Sequence, residues 1–259
     1  MKIKKLEDYL FKLLHFDKLL NPEKIDPFMT NGLMVKGKEE ITRLGFGVSA
    51  SLVLFEKAAA GKCDGIIVHH SFNLPPSNRY DQIFQKRLSF LISRQISLFG
   101  YHFLLDAHPQ IGNNAQILKA IGAKPEAPYL FHGDPWGFSG SFSREESLQK
   151  IIEKIKPFLS PQSIFYDYGP EMIRKVAAVS GKGAPGPGDM QRLMDNNIDL
   201  YITGEAHEWN RELFREANIN FIAGGHYHTE MFGLKALMAK IQKDLPELSL
   251  VFLDVPNKV

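Results

Sequence analysis

The chain has 259 residues, with 31 Lys and Arg against 29 Asp and Glu and a formal charge of +2. That length allows one large or two modest domains, and 44% hydrophobic residues supply a substantial core. The near-neutral balance, without a long basic run, gives no sign of nucleic-acid binding, although it leaves a small nucleotide ligand open. The single cysteine, Cys63, excludes a disulfide framework within the chain and fits a reducing compartment; it reads as a small buried residue.

Met1 to Leu20 carries lysines but no continuous apolar core or small-residue cleavage site, so it does not read as a signal peptide. Leu6, Leu10, Leu13 and Leu14 fall at helical spacing and predict an amphipathic helix packed on the body. No apolar stretch approaches membrane-spanning length, and the expected location is the cytoplasm. Asn21-Pro22 ends this helix, and Thr30-Asn31-Gly32 marks a turn.

A strand and helix alternation follows. Strands are predicted over 41–48, 65–68 and 95–101, with helices over 51–60, 81–93 and 113–121; Ser51 is a possible N-cap. Pro125, Pro128 and the stretch Gly133-Asp134-Pro135-Trp136-Gly137 interrupt the pattern and suggest a domain boundary, giving lobes 1–125 and 126–259. Beyond it, 138–142 reads as a strand. A Ser143-x-x-Glu146 capping box opens a predicted helix over 143–158 with an apolar stripe of Leu148, Ile151, Ile152 and Ile155. Strands over 173–180, 199–203, 219–223 and 248–255 alternate with helices over 190–195, 209–217 and 231–243. The expected fold class is α/β, with two related lobes and largely parallel sheets.

Three clusters of chemistry-bearing residues follow apolar strands, where ligands gather in parallel sheets. They are His69-His70, His102 with Asp106, and His226 with His228 and Glu230. Each has a plain explanation alone: a satisfied core histidine, a cap, or an acid in a first helical turn. The plain reading is preferred for His15, His108, His132 and His207. Taken together, the imidazoles and carboxylates make a mixed nitrogen and oxygen donor set suited to zinc, iron, manganese, nickel or cobalt. The set exceeds the needs of one tetrahedral ion. It therefore suggests two divalent ions, with a carboxylate such as Glu230 or Asp106 bridging them and with hydrolytic potential. Adjacent strand residues point to opposite faces, so His69 and His70 are expected to serve different ions.

Gly181-Lys182-Gly183-Ala184-Pro185-Gly186 matches the G-x-G-x-x-G spacing of dinucleotide folds. Pro185 and Pro187 crowd the start of the helix that would receive a pyrophosphate. A Gly/Pro loop bordering the site is the better reading, and a nicotinamide-dependent oxidoreductase the weaker one.

Val68-His69-His70, Gly100 to Pro109, Gly112-Asn113-Asn114-Ala115, Ile202-Thr203-Gly204-Glu205 and Gly225 to Glu230 occur in an order that resembles the NIF-three-like family in its YbgI-type bacterial branch. Members commonly carry the name GTP cyclohydrolase 1 type 2 homologue. Asn31-Gly32-Leu33 fits as well, and the resemblance covers nearly the whole chain. It implies metal ligands at His69, His70, Asp106, His226 and Glu230, with His102 near the site as a supporting group or auxiliary ligand. It also implies a two-lobed subunit and a toroidal homohexamer with its metal sites facing an internal cavity. The loop after the histidine pair, Asn73-Leu74-Pro75-Pro76, departs from the many relatives that carry a lysine there. His207 and His228 have no counterpart carried over from the family pattern.

The leading functional expectation is a metal-dependent hydrolase of a nucleotide or related small substrate, using a metal-activated water, with His102 or Glu205 assisting proton transfer. The alternative is a non-catalytic metal-binding or adaptor ring.

Overall fold

The computed structural model describes residues 1–29, 31–73 and 80–258. Thr30 of the expected turn and Leu74 to Pro76 of the divergent loop lie outside the described residues. The chain forms two compact α/β units, one of Met1–Leu105 with Leu234–Val255, the other built mainly from Asp106–Gly233.

In the first unit, helix α1 (Ile3–Leu14) buries Ile3, Leu6, Leu10 and Leu14 on one face, as the leucine spacing predicts. A short α2 (Pro22–Ile25) precedes strand β1 (Gly32–Val35). Strand β2 (Arg43–Ser49) leads to α3 (Leu52–Ala60), whose first turn is capped by Ser51 accepting from the Leu54 amide. Strand β3 (Gly65–His70) is followed by α4 (Gln82–Arg94), capped by Asp81, and β4 (Ser97–Gly100). The short α5 (Phe103–Ala107) comes next. The sheet order is β1-β4-β3-β2-β11, where β11 (Ser249–Phe252) is supplied from far along the chain. Every pairing except β1 with β4 is parallel. Ser49 lies opposite His70, and Val68 opposite Gly100, just ahead of His102. The carboxyl ends of three neighbouring parallel strands thus deliver Ser49, the histidine pair and His102 to one edge. Leu54, Phe55, Ile66, Val68, Leu91 and Leu98 are among the residues of the core beside this sheet.

The second unit contains α6 (Asn113–Ile121), β5 (Lys124–Phe131), β6 (Asp134–Ser147), α7 (Leu148–Ile155), β7 (Ile164–Tyr166), β8 (Met172–Val179), α8 (Pro187–Asp195), β9 (Leu200–Thr203), α9 (Asn210–Ala217) and β10 (Asn220–Ala223). Helix α10 (His226–Asp244) is divided, its residues from Leu234 on belonging to the first unit. The sheet order is β5-β6-β8-β9-β10-β7, with β8, β9 and β10 mutually parallel and the outer strands antiparallel.

Three sequence expectations shift. The interruption at Pro125 to Gly137 is a β-hairpin, turning at His132 and Gly133, both with positive φ. Pro125 and Pro128 fall in β5, an edge strand, where a missing amide donor is tolerated, and Pro135 is the second residue of β6, beside the turn. The division between units therefore falls at Leu105 and Asp106, not at 125, because α6 and β5 pack with the second sheet. Asp106 accordingly belongs to the second unit. Finally, Ser143 does not open a helix: β6 continues to Ser147 because Glu146 and Ser147 pair with Ile173 and Met172. Ser147 caps α7 instead, accepting from the Lys150 amide, and Glu146 forms ion pairs with Lys150 and Lys154.

Candidate metal centre

In the first unit three imidazoles converge. His69 is fully buried, and its Nδ1 lies 3.0 Å from the carbonyl oxygen of Tyr101. A carbonyl only accepts, so Nδ1 carries the proton and Nε2 becomes the ring nitrogen with a lone pair. Nδ1 of His102 stands 2.6 Å from Oδ2 of the buried Asp26, and Nδ1 of His70 stands 3.0 Å from Oγ of Ser49. The backbone around His102 is held too, since Oδ1 of Asn31 accepts from the amides of His102 and Leu104. The three ring centroids lie 4.8–5.4 Å apart, and each residue places a ligating nitrogen within 4.8 Å of the others. His69 and His70 both lie within β3, at its last two positions, and their ring centroids are 4.9 Å apart despite the alternation of the strand.

In the second unit, Oδ1 of Asp106 accepts from Asn113 Nδ2 and Ser180 Oγ, both at 2.9 Å. Those donors are themselves fixed. Asn113 accepts from the Gly233 amide, while Asn114 accepts from the Ser180 amide and donates to the Trp136 carbonyl. Asn113 and Asn114 are fully buried and fully engaged, as buried amides must be. His226 opens α10. Its Nδ1 is 2.6 Å from Oε1 of Glu205, and its Nε2 is 2.9 Å from Oε1 of Glu230 one turn on. Burial opposes a charge on His226, but the hydrogen bonds and charges of Glu230 and Glu205 outweigh it and raise its pKa. Glu230 itself is buried.

The glycine-rich loop packs against this pair. Gly181 adopts φ +59°, and a β-carbon there would fall 2.3 Å from Oε1 of Glu230 and 3.1 Å from Nε2 of His226. Its amide donates to Thr229 Oγ1, and its carbonyl accepts from the Glu205 amide. A β-carbon at Gly183 would strike the Val179 carbonyl. These glycines are explained by close approach of the chain to itself.

The remaining histidines have local roles. His108 is buried and its Nδ1 accepts from the amides of Gln110 and Ile111. His15 pairs with the Phe11 carbonyl, and exposed His207 stacks on Trp209. His228 lies in the first turn of α10 beside the Tyr227 ring. The groups that sequence reading missed are Asp26, Ser49, Ser180 and the supporting roles of Asn31, Asn113 and Asn114. Asp26 precedes a proline in an irregular segment and bears no periodic signal. Asn31 and Asn113 stood within recognised motifs, but their partners are set by tertiary structure.

Imidazole nitrogens and buried carboxylates, oriented by partners behind them, form a donor set that fits divalent transition ions. The molecule is therefore an α/β protein in which each unit gathers imidazoles and carboxylates of a kind that could hold metal. It belongs to the Duf34/NIF3 (NGG1p interacting factor 3) family, whose model matches residues 1–258. Among its relatives, the Archaeoglobus fulgidus protein named GTP cyclohydrolase 1 type 2 homolog is 35% identical over 244 residues, covering 94% of this chain and 96% of that one. The solved structure of the protein ybgI, titled as of unknown function, superposes with a TM-score of 0.85 at 30% identity over 100% of both chains. A structure from Thermus thermophilus gives 0.84 at 28% identity, again over 100% of each. Among the described residues, no helix is long and apolar enough to cross a membrane.

Proposed function

We propose that the protein is a metal-dependent hydrolase of a nucleotide or a related small molecule. Two divalent ions are held by His69, His70, Asp106, His226 and Glu230. The observation that carries this reading is the uniform treatment of the imidazoles. Nδ1 of His69, His70, His102 and His226 is occupied by Tyr101, Ser49, Asp26 and Glu205 respectively. Structural histidines need no such shared orientation, whereas metal-ligating ones almost always have it.

Bound divalent ions supply Lewis acidity, acidify a water and neutralise charge that develops during displacement. The chain's own residues do the rest. The backbone carbonyl of Tyr101 fixes the tautomer of His69. Asn113 and Ser180 hold one oxygen of Asp106 and so set the direction of the other. Glu205 keeps a proton at Nδ1 of His226, which makes that carboxylate and imidazole a pair suited to proton handling. The relatives' shared name directs attention to GTP as the first substrate to try. The same reading includes a ring-shaped homohexamer, for which light scattering is the measurement; a monomeric mass across micromolar concentrations would remove it.

Metal analysis of purified protein, followed by assays on GTP, other nucleotides and phosphoesters with and without chelator, tests the reading. Turnover abolished by chelator and restored by one of zinc, iron, manganese, nickel or cobalt is expected. Stoichiometric metal without turnover of any of them would favour the metal-holding ring.

A further inference from the structure

We infer that His207 and Trp209 form a stacking platform for the base of a nucleotide and so govern which substrates the second unit accepts. The inference rests on the nucleotide reading proposed above. It adds the residues that recognise the base, which are distinct from the metal-ligand set.

Both residues lie in the turn that joins β9 to α9, at the carboxyl end of a parallel strand, where α/β sheets place their ligands. The same turn begins beside Glu205, which stands 2.6 Å from Nδ1 of His226. Trp209 follows Glu205 by four residues, so their Cα atoms are at most about 14 Å apart, within the reach of a nucleotide from its base to its phosphates. The turn is fixed at both ends. The Glu205 amide donates to the Gly181 carbonyl, and the fully buried Asn210 donates through Nδ2 to the Pro185 carbonyl, so two ties join it to the glycine loop. Oδ1 of Asn210 also accepts from the His207 amide at 2.6 Å. On this fixed backbone the two rings stack, with centroids 4.7 Å apart and planes 29° from parallel.

The fold does not require these rings. Trp209 sits just before α9, where Ser, Thr, Asp or Asn would satisfy a free helix amide, and its side chain makes no such bond. Trp209 is 48% exposed and His207 is exposed, while Tyr201, Phe214 and Phe221 of the same unit are fully buried. An indole left half in water and stacked on an imidazole offers an incoming ring a preformed surface, at little cost in side-chain entropy. Every nucleobase has a face that can use it. Glu208, exposed between the two rings in sequence, offers an acceptor for the N–H groups on a base edge.

The test uses the full-length protein. Trp136 is the other tryptophan, so Trp136→Phe leaves Trp209 as the single indole fluorophore. GTP is expected to quench its emission, while inorganic triphosphate, which has no ring, leaves it unchanged. Trp209→Ala is expected to weaken GTP binding, measured by calorimetry, by about 5- to 150-fold. Its KM for the nucleotide should rise by a similar factor with kcat little changed, because stacking remote from the reacting bond is lost equally from ground and transition states. Metal content and circular dichroism should match the wild type, and Trp209→Phe, which keeps a flat ring, should recover most of the affinity. Wild-type affinity for GTP in Trp209→Ala overturns the platform while leaving the hydrolase reading standing. So does an altered mass by light scattering with unchanged affinity, which would mark Trp209 as a subunit contact. Wild-type protein that binds none of GTP, ATP, CTP and UTP overturns the platform and the nucleotide reading together.

Discussion

Oε1 of Glu205 lies 2.6 Å from Nδ1 of His226, the same separation that Asp26 keeps from His102 in the other unit. Each unit thus backs one histidine with a carboxylate, although one carboxylate follows a parallel strand and the other lies in an irregular segment. Such a partner fixes which ring nitrogen faces a metal and strengthens it as a donor.

Glu205→Gln keeps the size and a hydrogen-bonding atom but loses the charge. Metal affinity at the His226 side is expected to fall about 10- to 100-fold, with circular dichroism unchanged. Titration calorimetry with Co(II) or Zn(II) measures it, and wild-type affinity in the variant would show that the contact is only structural.

Glu230 is expected to matter more than His228. Its buried carboxylate supplies negative charge beside His226, and Glu230→Gln should lower metal stoichiometry and abolish hydrolysis. His228→Gln should retain most of the metal. Full occupancy in Glu230→Gln with depletion in His228→Gln would reverse the assignment.

The glycine loop gives a sharper contrast. Gly181→Ala places a methyl group 2.3 Å from Glu230 Oε1 and forces a left-handed backbone on alanine, which costs about 1–2 kcal/mol before any clash. Metal content should drop with it. Gly183→Ala is also expected to destabilise, since its methyl group would meet Val179 backbone and side chain. Gly188, in α8, has open space around it, and Gly188→Ala should stabilise by roughly 0.5–1 kcal/mol. Thermal melts with metal analysis on the three variants check this, and a metal-replete Gly181→Ala would contradict it.

Much of the site was legible because its parts sit at element ends. His69-His70 closes an apolar run, and His226 to Glu230 joins a strand to a helix, so a period of two or 3.6 locates both. Ser51 announced its helix by local chemistry alone. The hidden parts depend on partners distant in sequence. Asp26 meets His102 across 76 residues, and Ser180 meets Asp106 across 74. The extended β6 defeated local reading in the same way. Its 143–147 stretch has helical capping chemistry, but pairing with β8 wins because a strand partner satisfies more backbone groups than one cap does. Pro125 and Pro128 misled for the opposite reason: proline breaks most strands but not an edge.

Asp64 should govern acid stability of the first unit. Burial pushes its carboxyl pKa up, but hydrogen bonds from Lys38, Thr42 and the Arg43 amide win and hold it at about 2. The folded-state value lies below the ordinary 3.8, so the stabilisation is complete above that pH and is lost as pH falls through about 2. That shift corresponds to about 2 kcal/mol. Asp64→Asn should lower stability by that order at pH 7, and the gap between variant and wild type should close toward pH 2. Urea unfolding at several pH values measures it, and a pH-independent gap would assign the effect to packing.

Strand β11 pairs in parallel with β2, Ser249 opposite Arg43, so the first sheet is finished by residues about two hundred positions downstream. During synthesis on a ribosome, β2 must wait with an open row of amides and carbonyls while the whole second unit is made. An exposed, apolar edge of that kind invites pairing with other chains. Nascent or truncated forms lacking Ser249–Phe252 are the species for which a chaperone would matter most, and the final turns of α10 and β11 act as the clasp that ends the exposure.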